Sequence, residues 1–138
     1  MNVGRTPNPG GASYSDVVSV DVGPARFIYV AGQTPRPPAS GSVPDDLAGQ
    51  TELCFKQIAE LLRAHDADLS DVVSLTTYLT DLGDYASFAE VRARVFGDSP
   101  PSSAAVGVAS LLGGVLVEVQ AVAVAEAGSA SGRRAPRA

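Results

Sequence analysis

The spacing of apolar and polar residues along this chain changes period several times, and each change marks an element. Residues 17–22 and 26–31 are β-branched or aromatic runs separated by Gly23-Pro24, which predicts a hairpin. From residue 46 to about 65, Leu47, Cys54, Phe55, Ile58, Leu61 and Leu62 recur at helical spacing, with Asp45 or Asp46 placed to cap the start. Residues 71–80 are rich in Val and Thr between turn-forming aspartates and read as a strand. Helical spacing returns over 84–96 through Tyr85, Phe88, Val91 and Val95, and a capping-box pair at Ser87 and Glu90 leaves its start open by a turn. Pro100 and Pro101 end that pattern. Residues 106–110 and 115–126 then form two closing strands around Leu111-Leu112-Gly113-Gly114.

The remaining segments are connections and ends. Residues 32–44 carry Pro35, Pro37, Pro38 and Pro44 without periodicity, and a loop of that length in a small domain is more often functional than idle. Residues 1–13, with Pro7, Pro9 and three glycines, read as a flexible lead, and 128–138 as a disordered tail. Residues 14–127 form one α+β domain of order ββαβαββ, a mixed sheet with two helices on one face. The last strand points Val117, Val119, Ala121 and Ala123 to one side and Leu116, Val122 and Val124 to the other, around Glu118 and Gln120. Both faces are mostly apolar, yet two helices cover only one. A second copy of the chain is the simplest cover for the other.

Charge and composition narrow the function. The net charge of the 138 residues is −5; setting aside Arg133, Arg134 and Arg137 of the tail leaves 7 basic and 15 acidic residues, or −8. Such a body repels phosphate backbones, so nucleic acid is not an expected partner. No apolar run approaches the roughly 18 residues needed to span a bilayer, and no signal-peptide core follows Met1, so a cytoplasmic protein without a membrane partner is expected. Cys54 and His65 are the sole residues of their kinds. That excludes intrachain disulfides and Cys/His zinc sites, and leaves His65 as a helix-end contact and Cys54 as a small core residue.

Ala31-Gly32-Gln33-Thr34-Pro35, following a hydrophobic strand, resembles the S-G-Q-x-P signature of the RidA/YjgF (reactive intermediate deaminase) family. Tyr14, Gln50-Thr51, Asp71-Val72-Val73 with Thr77-Tyr78-Leu79, Phe96, Val106-Gly107-Val108-Ala109 and Val117-Glu118-Val119-Gln120-Ala121 follow in the family's order, so the resemblance covers Tyr14 to about Ala125. It implies a YjgF/chorismate-mutase-like homotrimer with ligand clefts between subunits. It also implies hydrolysis of enamines and imines to a keto acid and ammonia, with no metal or organic cofactor. In that chemistry an arginine grips the substrate carboxylate, while a glutamate and a water move protons and add to the imine carbon.

Carried over position by position, Glu118 and Tyr14 are the catalytic residues that the resemblance implies. Ala31, Gly32, Gln33, Ala89, Ser103 and Ala105 occupy its substrate-binding positions. Ala31 stands for the signature serine and Ala89 for an asparagine of the second helix. The P-A-R-S segment aligns with Pro101-Ser102-Ser103-Ala104, which places Ser103 where the arginine belongs. A serine has neither the charge nor the reach of a guanidinium, so little or no ordinary 2-aminoacrylate deamination is expected of this protein. Arg26, Arg36, Arg92 and Arg94 are substitute cations, Arg36 being the foremost because it lies beside the signature. The reading is an acid/base enzyme acting on a small imine, enamine or carbonyl compound; the alternative is a ligand-binding or chaperone-like trimer. Ribonuclease activity, attributed to some relatives, fits an acidic body with one histidine least.

Overall fold

The computed structural model describes residues 1–128, so apart from Gly128 the tail expected over 128–138 lies outside the described residues. The elements are β1 (Asn2–Pro7), β2 (Ser15–Val22), β3 (Ala25–Gln33), α1 (Leu47–Arg63), β4 (Val72–Leu79), α2 (Tyr85–Phe96), β5 (Ser102–Gly107) and β6 (Val117–Glu126). They form one six-stranded sheet of order β1-β2-β3-β6-β4-β5. All neighbours are antiparallel except β4 and β5. A parallel neighbour needs a crossover, and α2 supplies it between β4 and β5. Both β3 and β4 run antiparallel to β6, hence parallel to each other, and α1 is the crossover between them.

Helix α1 forms because Leu47, Cys54, Phe55, Ile58 and Leu62 share one buried stripe and Asp46 caps it by accepting from the Gly49 N–H. Phe55 packs edge-on against Phe96 of α2, with centroids 5.2 Å apart. The stripe meets Ile28, Val30, Leu75, Val117, Val119 and Ala121 from the inner sheet face. At the far end of α1, Asp66 takes a left-handed φ of 60° and the Arg26 guanidinium donates to the His65 carbonyl at 3.0 Å, satisfying an end that the helix leaves open. Arg26 also pairs with Asp21 at 2.7 Å, which holds the Asp21 carboxyl below the usual carboxylate range.

Two expectations are corrected. Residues 2–7, read as a flexible lead, are strand β1, paired from Asn2↔Asp21 to Pro7↔Ser15. An edge strand is held by backbone bonds and needs no apolar alternation, which is why its pattern was silent. The strand expected at 106–110 begins at Ser102 and ends at Gly107. Its pairs run Leu75↔Ser103, Thr76↔Ala104 and Thr77↔Ala105, so small polar residues, not the valines, set its start. On the sheet face away from the helices, Tyr29 is 50% and Val106 44% exposed in the single chain.

Candidate active site

The β3–β6 ladder pairs Val30 with Ala121 but Gln33 with Val119, so β3 carries one extra residue there. This bulge lies at Ala31-Gly32 and turns the bare Cα of Gly32 toward Glu118. A Cβ on Gly32 would come within 3.0 Å of Glu118 Cδ and closer still to Oε2. Only glycine admits the carboxylate at that approach, and bulges are a common way of re-aiming groups at a site.

The segment after the bulge is pinned to α1. The Cys54 thiol donates to the Gln33 carbonyl at 3.3 Å, and Gln57 Nε2 donates to the Thr34 carbonyl at 2.9 Å while its Oε1 accepts from the Arg36 N–H at 2.8 Å. Burial pushes the Cys54 thiol up to about 12, as expected of a core residue and not of a nucleophile. The Gln33 side chain is engaged too: Oε1 accepts from Arg36 at 2.6 Å and Nε2 donates to the Ala31 carbonyl at 3.1 Å. Arg36 also pairs at 3.3 Å with Asp16, whose side chain is 3% exposed and accepts from Asn8 as well. Tyr14 is 56% exposed, takes a 3.3 Å bond from Asn8, and with Gly32, Gln33, Thr34 and Arg36 lines a cavity of about 380 Å³.

A second group forms between α2 and β5. Tyr85, Ala89 and Arg92 share one helix face, being four and three residues apart, and that face looks onto Ser103 across a cavity of about 400 Å³. Arg92 donates to Ser103 Oγ at 2.8 Å and to the Tyr85 hydroxyl at 2.8 Å. Its guanidinium lies 5.5 Å from the Tyr85 ring centroid and 5.4 Å from that of Phe88.

The family model described as Endoribonuclease L-PSP matches residues 6–125. The chain belongs to this family, that of RidA and YjgF. A RutC family protein of Pyrococcus abyssi is 40% identical over 123 residues, covering 88% of this chain and 93% of the relative. The 2-iminobutanoate/2-iminopropanoate deaminase of Bos taurus is 38% identical over 112 residues, covering 80% of this chain and 79% of that enzyme. The crystal structure of yeast Mmf1 superposes with a TM-score of 0.79 at 28% identity, covering 89% of this chain and 98% of the other.

Against the RidA pattern, seven of the eight residues named from the sequence fall into two groups in one chain. Tyr14, Gly32 and Gln33 line the first cavity, with Glu118 against Gly32 and Ala31 in the bulge. Ala89 and Ser103 line the second, and the two cavities share no residue. Ala105 is half-buried on β5, paired with Thr77. Of the four arginines weighed as substitute cations, Arg36 lines the first cavity with its Nη2 on Asp16 and Gln33 and its side chain 42% exposed, while Arg26 and Arg94 are paired with Asp21 and Glu52. Arg92 alone of the four meets Ser103. Its spacing from Ala89, three residues on one helix, was the sequence signal for it. Among the described residues, no three His, Cys, Asp or Glu side chains gather as metal ligands, and no helix is long and apolar enough to cross a membrane.

Proposed function

We propose that this chain hydrolyses small imines to carbonyl compounds and ammonia, with Glu118 moving the protons, in clefts completed between copies of a homotrimer. The observation that carries the reading is the Glu118 carboxylate seated against Gly32 of the signature bulge. In the reaction, water adds its oxygen to the imine carbon as Glu118 accepts one of its protons. That proton passes to nitrogen, the C–N bond breaks, and ammonia leaves as the second water proton is transferred and the carbonyl forms. Support comes from relatives named as 2-iminobutanoate/2-iminopropanoate deaminases at 35–38% identity. The separation of Tyr14 and Gly32 from Ala89 and Ser103 within one chain also fits a cleft that a neighbouring copy completes. Ribonuclease chemistry finds no support in the sole histidine, whose ring nitrogens are held by Thr6 at 2.8 Å and Ser19 at 2.9 Å.

The test is turnover of 2-iminobutanoate generated in situ, followed by keto-acid release. Glu118→Gln keeps the size and removes the exchangeable carboxylate, and should lower turnover by about 10²–10⁴-fold with folding and ligand binding retained. Full turnover in the variant would reduce Glu118 to a structural carboxylate. Binding without turnover in the parent chain would favour the ligand-binding reading instead.

A further inference from the structure

The cavity between α2 and β5 is built around a cation that no carboxylate balances. Among the described residues Arg92 has no ion-pair partner, and no Asp or Glu lines the cavity. Its neighbours orient it without neutralising it. The rings of Tyr85 and Phe88 flank it, and two hydroxyl oxygens accept its N–H groups. A hydroxyl that accepts in this way still carries its own proton to donate. The remaining guanidinium N–H groups and the O–H groups of Ser103 and Tyr85 therefore form a set of donors held in advance around one positive charge. Such a set matches an acceptor-only anion.

We propose that Arg92 of α2, oriented by Ser103 and Tyr85, is the residue that binds the carboxylate of the ligand in this protein, in place of an arginine on β5. This rests on the imine-hydrolysis reading for the reacting end of the molecule. The volume of about 400 Å³ suits a ligand of a few heavy atoms. A single guanidinium balances a single negative charge, which favours a monocarboxylate over a phosphate dianion. The substrate-gripping cation thus comes from the second helix and reaches over to the strand position that holds a serine.

The test is a titration of the full chain with 2-oxobutanoate, its methyl ester and inorganic phosphate, read by calorimetry, for the parent, Arg92→Gln, Arg92→Lys and Arg94→Gln. The acid should bind the parent and Arg94→Gln equally, since Arg94 points to Glu52 instead. Arg92→Gln should weaken the acid by about tenfold or more and leave the ester unchanged, and Arg92→Lys should fall between, because it keeps charge and loses the fork. Should Arg92→Gln melt early, the Lys variant carries the comparison. Equal acid binding by Arg92→Gln and the parent, equal binding of acid and ester by the parent, or displacement of the acid by equimolar phosphate would each overturn the proposal. Loss of acid binding in Arg92→Gln together with full turnover in Glu118→Gln would leave this subsite standing and remove the catalytic reading alone.

Discussion

At the scale of single residues, the polar side chains divide into those already engaged within the chain and those left facing a cavity. His65 belongs to the first kind. It is buried at the end of α1 with one ring nitrogen on Thr6 and the other on Ser19, which ties the helix to β1 and β2. Burial, and then the nearby Arg26 charge, lower its pKa, with Asp66 pulling weakly the other way. The fold therefore prefers the neutral ring. Above the ordinary histidine value of about 6.5 both folded and unfolded chains hold it neutral, and stability is intact. As pH falls below that value the unfolded chain takes up the proton first, so stability is lost until the folded pKa is passed. The melting temperature should fall as pH drops below about 6.5, and His65→Asn should flatten that slope while losing about 1–3 kcal/mol at pH 7 from its broken contacts. A slope unchanged in the variant would assign the acid sensitivity to the carboxylates instead.

At the scale of elements, both helices, the hairpin and the central strand were legible because their apolar residues repeat at a period that burial enforces. The edge strands were not, since β1 and β5 are held by backbone pairing and present few buried side chains. That silence had a cost at the site. With β5 expected from residue 106, Ser103 lay in a loop, and Arg36 was preferred because it lies beside the signature. Pairing of Ser103 with Leu75 is what brings it under α2 and within reach of Arg92. The first group was easier to read, because a glycine and a polar strand residue in an apolar setting are themselves signals. Helix α1 also yields a direct check on its packing. Cys54 is fully buried and its thiol is pushed up to about 12, so a thiol reagent at pH 8 should leave the native chain unmodified and label it only as it unfolds in denaturant. Rapid labelling without denaturant would mean that α1 lifts from the sheet far more readily than its contacts imply.

At the scale of the whole molecule, the sheet face away from the helices exposes Tyr29 and Val106, and the proposed homotrimer would cover it with other copies. A homotrimer at micromolar concentration is the expected result of sedimentation equilibrium, with Val106→Asp shifting it toward monomer; a parent chain that sediments as a monomer would remove the proposed cleft as well. The placement of the site's cation has an evolutionary consequence. Relative to the arginine on the strand that the family resemblance implies, Arg92 carries the charge on a different element, facing the same small space. Installing the strand arginine here by Ser103→Arg would set two like charges in that space and delete a hydroxyl that now orients Arg92, so it would not simply restore a missing contact. Removing Arg92 first leaves the space with no cation at all. The effects of changes at 92 and 103 are therefore epistatic, and each substitution takes its meaning from the residue present at the other position.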